Sequence, residues 1–219
     1  MVSLVDDIVL LAYDDATGRS RVGHLEFGIA GAALLELVLA ERVSLTDGKI
    51  SVDDRAPIGQ AVPDAALAAL AADKPRKPKA VVQRLARGVK RRALDDLAAR
   101  GLMRVQHDRV LGLFPLRRYI PGAAGAKTDA RFRLASAVDL GRAPDARTAA
   151  LGSIVYALNM ERVVFPDRQK SQVRKVLKNF SEGSWASEAT RGAIQAAQAA
   201  VMAAVTAAAA AAASSSSGS

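Results

Sequence analysis

The sequence contains no cysteine, only two histidines and few aromatic residues. Disulfide bonds, cysteine nucleophiles and zinc sites built from cysteine are therefore excluded. His24 and His107 are too few for a histidine-rich metal site, so we expect neither a metal nor a cofactor. Because only 4% of the residues are aromatic, the core must consist mainly of alanine, leucine and valine, and the first two of these favour helices.

Catalytic motifs are missing as well. The sequence has no GxSxG nucleophile elbow, no Walker A loop, no GxGxxG opening a helix after a strand, and no HExxH. Asp95 and Asp96 are adjacent, but consecutive residues of a helix point about 100° apart, so these two carboxylates do not form a catalytic dyad. We therefore expect a protein that is not an enzyme.

Targeting signals are not recognisable. The N-terminal segment MVSLVDDIVLLAYDD has no basic region, and Asp6 and Asp7 precede its apolar run, which is not the pattern of a signal peptide. Outside the C-terminal tail, the uncharged apolar stretches are far shorter than the about 20 residues of a membrane span. We expect a cytoplasmic protein whose membrane contacts are peripheral.

Helical patterns dominate the chain. Residues 3–13 predict a helix with Ser3 as N-cap and Asp6 at its third position, and residues 28–41 predict a central core helix of small and apolar residues. Further helices are predicted over residues 63–72, 80–100 with a break near Gly88, 145–164, 167–180 and 189–213.

Two β-hairpins are predicted between these helices. Residues 43–52 flank an Asp47-Gly48 turn, and residues 102–105 and 110–114 flank a turn at His107-Asp108, followed by a loop to residue 127. The order of elements predicts a mainly α, single compact domain over residues 1–205, with a core helix bundle and one or two short hairpins. Residues 206–219 form an Ala/Ser-rich, low-complexity tail.

Positive charge is the main functional indication. Lys and Arg outnumber Asp and Glu by 31 to 22, and nine of the basic residues lie in residues 74–92 without one acid among them. In a continuous helix, Arg84, Arg87, Lys90 and Arg91 share one face. A face of one charge sign indicates an anionic partner, although it can also be a solvated surface.

Two kinds of anion remain open from the residues alone. The basic face can contact phosphorylated lipid headgroups, since arginine side chains bind phosphate oxygens in a bidentate manner. Alternatively, the helix, glycine and hairpin of residues 84–114 can form a winged helix whose basic residues contact DNA phosphates.

The chain also resembles the Golgi phosphoprotein 3 family. The ordered matches are residues 4–11 (LVDDIVLL), 28–37 (GIAGAALLEL), 87–92 (RGVKRR), 100–102 (RGL), 149–151 (AAL) and 156–157 (YA). The resemblance extends over residues 3–180. It implies a mainly helical protein. The eukaryotic members bind phosphatidylinositol 4-phosphate in a basic pocket, and they bridge Golgi membranes to glycosyltransferase tails and other partners.

The resemblance also implies the site residues. The two helical arginines of the pocket fall on Arg87 and Lys90. From the basic face as well, we expect Arg84, Arg91 and Arg21 to give electrostatic support. The family's tryptophan falls at or near Arg21, and its remaining arginine falls on Ala30. Because of these two departures, we expect binding to anionic phospholipid in general rather than strict recognition of phosphatidylinositol 4-phosphate.

The second hairpin matches the family's apolar hairpin, which helps membrane insertion and self-association. The matching residues are Val110, Leu111, Leu113 and Phe114, which can equally form an ordinary hairpin core. The bias towards Ala, Arg and Asp is typical of a high-GC bacterial genome. For a bacterial member a Golgi role is ruled out, and the lipid is expected to be a simpler acidic one.

Overall fold

The computed structural model describes residues 2–110, 114–122, 124–182 and 187–216. Helix accounts for 63% of the protein and two separate antiparallel hairpins complete it, so the prediction of a mainly α domain is confirmed. The helices are α1 Leu4–Ala12, α2 Leu25–Leu39, α3 Ala61–Ala71, α4 Pro78–Leu85, α5 Val89–Ala99, α6 Ala124–Asp139, α7 Ala146–Ala157, α8 Glu161–Val164, α9 Lys170–Lys178, the 3-10 helix Asn179–Glu182 and α10 Glu188–Ser216.

Helix α1 begins at the predicted capping box. The Ser3 hydroxyl accepts a hydrogen bond from the Asp6 N–H at 3.1 Å, and the Asp6 carboxylate accepts one from the Ser3 N–H at 2.7 Å. These two bonds satisfy donors that a helix start otherwise leaves open. Every residue of α1 is buried, so this helix passes through the core.

Helix α2 is the centre of the bundle, as predicted. It packs against α1, α3, α4, α5, α7 and α10. Small residues allow these close approaches: a Cβ atom at Gly31 would lie 2.6 Å from Val201 and 2.9 Å from Ile154. Such spacing leaves no room for a larger side chain at this position.

The first hairpin also agrees with the sequence. Strands β1 Val43–Thr46 and β2 Lys49–Val52 pair in antiparallel register. Asp47 and Gly48 both adopt positive φ, 52° and 69°, which is the conformation that a two-residue hairpin turn requires.

The second hairpin is longer than predicted. Strands β3 Met103–Val110 and β4 Phe114–Pro121 pair throughout, with His107 opposite Arg117. The predicted turn at His107-Asp108 and the predicted loop after residue 114 are therefore wrong. A two-stranded ribbon with polar residues along both strands lacks the alternation that identifies a half-buried strand, so its extent cannot be read from the sequence.

Two further segments differ from the prediction. The predicted elements do not include α6, which begins inside the predicted loop to residue 127 and whose buried face is formed by Ala130, Leu134 and Ala137. The predicted single helix over residues 145–164 is divided into α7 and α8, because Asn159 between them has a positive φ of 55°. That backbone conformation ends an α-helix.

Helix α10 is long and apolar enough to cross a membrane by length and composition, with a mean hydropathy of 1.6. Its first half is nevertheless a core helix, packed against α2, α4 and α7. The buried side chains are those of Ala193, Ile194, Ala197, Ala200, Val201 and Ala204. From Thr206 onward most residues are exposed, so the predicted tail region continues as an exposed helix through Ser216.

Tyr13 supplies a prediction on stability at alkaline pH. Its side chain is buried, and burial raises the pKa of its phenol from 10.0 to about 12. Because the folded-state pKa is the higher one, the unfolded chain ionises first, and stability is lost as the pH rises above 10. We expect the free energy of unfolding to fall by about 1 kcal/mol more between pH 10 and pH 11 in the native protein than in Tyr13→Phe. Urea denaturation of both proteins measures this difference, and parallel curves would contradict it.

Candidate functional site

A wide hollow, open to solvent, lies between the start of α5 and strand β4. It has a volume of about 690 Å³. Its polar lining consists of Glu26, Lys90, Arg91, Arg117 and Tyr119, and Ala86, Gly88 and Leu94 supply the rest. Three of the four charged residues in the lining are therefore cations, and one aromatic ring lies in the wall.

The break between α4 and α5 lies at this hollow, and Gly88 is part of its lining. Gly88 has a φ of 71°, which ends the turn after α4 and starts α5 without a side-chain cap. The Arg92 N–H donates to the Gly88 carbonyl at 3.2 Å, so the N–H groups from Val89 to Arg91 precede the helical ladder. Uncapped N–H groups and the helix dipole together favour an anion at this end.

The first turn of α5 carries the opposite of the usual charges. Lys90, Arg91 and Arg92 occupy it, and no acid is present there. Cations at a helix N-terminus are unfavourable by a few tenths of a kcal/mol each, up to about 1 kcal/mol. A bound anion would offset that cost.

Strand β4 forms the facing wall. The Tyr119 hydroxyl donates to Asp95 at 3.2 Å, and the same carboxylate lies 3.6 Å from Arg91. These contacts connect the ribbon to α5 and hold the wall in place. Arg117 is exposed on the same wall.

Two cations of the hollow remain unpaired. Within the described ranges, Lys90 and Arg117 form no salt bridge with any acid. The one carboxylate in the lining, Glu26, lies 3.7 Å from Nδ1 of His24. Lys90 is half-buried and lines the hollow, where the dielectric around a charge is lower than on the open surface.

The structure separates the two residues that the resemblance places together. Lys90 lines the wide hollow, whereas Arg87 lines a smaller one with Arg84 and Arg92. The interpretation of a single continuous basic face is wrong, because Gly88 ends one helix before the next begins.

The remaining predicted residues have internal partners. Arg84 and Arg76 both bind the carboxylate of Asp73, the acid that directly precedes the basic run. Arg91 is paired with Asp95, and Arg21 lies in the loop after α1, 3.7 Å from Asp14. The basic run is therefore partly neutralised by acids that flank it.

The positions of the two family departures also differ in environment. Arg21 is 60% exposed, whereas Ala30 is fully buried in α2.

Val110 and Phe114 form the last residue pair of the second hairpin, next to its tip. Leu111 and Leu113 lie outside the described residues, so the membrane role of this hairpin tip stays a prediction.

Sequence reasoning missed Arg117 and Tyr119. Both reach the hollow because residues 114–121 pair with residues 103–110, and the Tyr119 hydroxyl then lies 3.2 Å from Asp95 of α5. No periodic pattern in the sequence indicates this pairing. In the part of the chain that the structure describes, no group of three His, Asp or Glu side chains could hold a metal ion.

Comparison with known proteins addresses the family of the chain. No curated protein matches it. The family model described as Golgi phosphoprotein 3 (GPP34) matches residues 4–197, which include α1 to α9, the wide hollow and the start of α10. The chain therefore belongs to the Golgi phosphoprotein 3 family.

Proposed function

We propose that this protein is a non-catalytic, cytoplasmic, peripheral membrane protein that binds the headgroups of anionic phospholipids in the wide hollow. The observation that carries the proposal is the combination of an uncapped helix start with the unpaired cations Lys90 and Arg117. Family membership supports a lipid ligand. No cofactor is needed for this function.

The hollow suits a phosphorylated headgroup for three physical reasons. The N–H groups at the start of α5 can donate to phosphate oxygens, and Lys90 adds a compact positive charge beside them. Arg117 offers a planar fork that binds two oxygens at once. The volume of about 690 Å³ leaves space for a sugar or glycerol group against Tyr119.

Selectivity among acidic lipids follows from what the hollow lacks. The resemblance places the family's aromatic side chain at or near Arg21, which is a cation, and Ala30 is buried and contributes no charge. We therefore propose binding to anionic phospholipids as a class, with phosphatidylinositol 4-phosphate as one member. Self-association through the tip of the second hairpin belongs to the same proposal.

Vesicle co-sedimentation tests the site. Phosphatidylcholine vesicles with phosphatidylserine or phosphatidylinositol 4-phosphate should bind the native protein, and less strongly at high salt. Each basic residue at an acidic membrane contributes about 1 kcal/mol, so Lys90→Ala/Arg117→Ala should bind roughly 25-fold more weakly.

The matched control is Arg131→Ala/Arg142→Ala, which removes two exposed charges outside the hollow. Equal weakening by both double variants would show that binding follows net charge and not this site.

Nucleic acid is the second candidate, because the ribbon β3–β4 directly follows α5, as the wing follows the recognition helix of a winged helix. The concave lining favours a headgroup, since DNA phosphates contact protruding elements. Gel shifts with duplex DNA at the salt concentration of the vesicle assay separate the two. Binding to DNA but not to acidic vesicles would reverse the assignment.

A further inference from the structure

The lining of the wide hollow contains one acidic residue besides its cations. Glu26 lies in the first turn of α2, where the helix dipole favours an ionised carboxylate. Its side chain is 34% exposed, so it is neither a core group nor fully solvated. The same hollow therefore has a negative charge on α2 and the positive charges of Lys90, Arg91 and Arg117 on α5 and β4.

The Glu26 carboxylate is not paired with these cations. Its ionic contact among the described residues is His24, whose Nδ1 lies 3.7 Å away, beyond hydrogen-bonding distance. In that part of the chain no salt bridge joins Glu26 to Lys90, Arg91 or Arg117, and no donor forms a hydrogen bond with it. The carboxylate therefore keeps free acceptor positions at the hollow.

Opposite charges that line one hollow without pairing suit a ligand that carries both an anion and a donor. The cations attract a phosphate, and the carboxylate accepts hydrogen bonds from a group attached to that phosphate. Hydrogen bonds to an ionised acceptor are roughly twice as strong as those between neutral groups. A volume of about 690 Å³ accommodates the phosphate together with the attached group.

We propose that Glu26 is a specificity-determining residue of the wide hollow, which selects phospholipid headgroups that carry a hydroxyl or ammonium group beyond the phosphate. This inference rests on the proposed function of the hollow. The phosphate contacts Lys90, Arg117 and the start of α5, and the attached group donates to Glu26. A headgroup without such a donor leaves the half-buried carboxylate without a partner, which is unfavourable.

Phosphatidylglycerol and phosphatidylmethanol provide a matched test. Both are phosphodiesters with one negative charge, and only phosphatidylglycerol has free hydroxyl groups. Phosphatidylcholine vesicles with equal fractions of either lipid are titrated with the native protein at one salt concentration. The native protein should bind the phosphatidylglycerol vesicles about fivefold more tightly. Phosphatidylserine is the third lipid, and a still higher affinity for it identifies an ammonium group as the preferred donor.

Glu26→Ala should reduce the ratio of the two affinities to about one. It should also bind both kinds of vesicle roughly fivefold more tightly, because the loss of an acid beside an acidic membrane adds one positive charge to the net charge. Tighter binding to phosphatidylmethanol shows at the same time that the variant is folded.

The matched control is Glu188→Ala. Glu188 also lies in the first turn of a helix, α10, and it is exposed outside the hollow. This variant makes the same change of charge and should keep the native ratio.

Two results would overturn the role of Glu26. One is an unchanged ratio in Glu26→Ala, and the other is a native protein that binds the three acidic lipids equally well. The proposed function would stand in both cases if Lys90→Ala/Arg117→Ala weakened binding to acidic vesicles. A native protein that binds none of the acidic vesicles would overturn the proposed function as well.

Discussion

Replacement of Arg147 by methionine is expected to destabilise the protein by about 3 to 5 kcal/mol, because it leaves a buried carboxylate without its cation. Glu36 in α2 is buried, and Arg147 donates to it at 3.0 Å. The same guanidinium donates to the Val2 carbonyl at 2.6 Å. Methionine fills a similar volume but provides neither bond.

Asp7 adds to this effect. It is fully buried in α1, and Arg133 lies 2.7 Å and Arg147 4.0 Å from its carboxylate. Burial raises the pKa of Asp7, while the two arginines lower it. Removal of Arg147 should therefore raise this pKa further and make the ionised folded state less favourable.

Urea denaturation at pH 7 measures the loss, with Arg131→Met as the matched control on an exposed arginine, for which less than about 0.5 kcal/mol is expected. Because Arg147 lowers the pKa of Asp7, the part of the loss that comes from Asp7 should become smaller as the pH falls and this carboxyl is protonated. A loss below about 1 kcal/mol at pH 7 would contradict the proposed role of this ion network.

Several local signals in the sequence agree with the structure, whereas the turn predicted at His107-Asp108 does not. The Ser3 and Asp6 capping box, the Asp47-Gly48 turn, the break at Gly88 and the helix end at Gly101 all depend on residues within one turn of each other. Such features need no knowledge of distant contacts, because a hydrogen bond or a positive φ decides them within a few residues.

The buried acids Asp6 and Asp7 show what local patterns cannot predict. Their position at the start of α1 predicts that Asp6 and Asp7 are partners of the helix dipole, and Asp6 does cap that helix. Their arginine partners are Arg100, the C-cap of α5, and Arg133 of α6, which lie 94 and 126 residues later. No pattern within α1 could identify those pairs.

The candidate site shows the same contrast between local signals and contacts that are distant in sequence. Lys90 lines the wide hollow and is recognisable from its position in the basic run. Arg117 reaches the same hollow only because residues 114–121 pair with residues 103–110, and the polar ribbon gives no periodic signal of that pairing. The shared face predicted for Arg84, Arg87 and Arg91 requires a continuous helix, which Gly88 interrupts.

The replacement Gly152→Ala should destabilise the protein by about 2 to 3 kcal/mol. Gly152 lies in the middle of α7, where a Cβ atom would overlap the ring of Phe180, with Cε2 at 2.9 Å, and would lie 3.3 Å from Leu177. The ring of Phe180 is fully buried in the 3-10 helix after α9, so protein atoms surround it. Overpacking of this kind forces either a strained side chain or a backbone shift.

The control Gly192→Ala separates packing from helix propensity. Gly192 is in α10, and beyond its chain neighbours and the backbone of its own helix no atom lies within 4 Å of the position that a Cβ atom would take. Alanine there should therefore stabilise the helix by up to about 1 kcal/mol. Opposite signs for the same substitution in two helices would show that contact with Phe180 decides the outcome at Gly152.

A double-mutant cycle identifies the contact itself. Phe180→Leu removes the ring edge nearest to Gly152 and should cost stability by leaving a cavity. In the presence of Gly152→Ala that cavity accommodates the added methyl group, so the double variant should be more stable than the sum of the single losses by about 1 kcal/mol or more. Additive losses in urea denaturation would contradict direct packing of α7 on Phe180 as the reason for a glycine at this position.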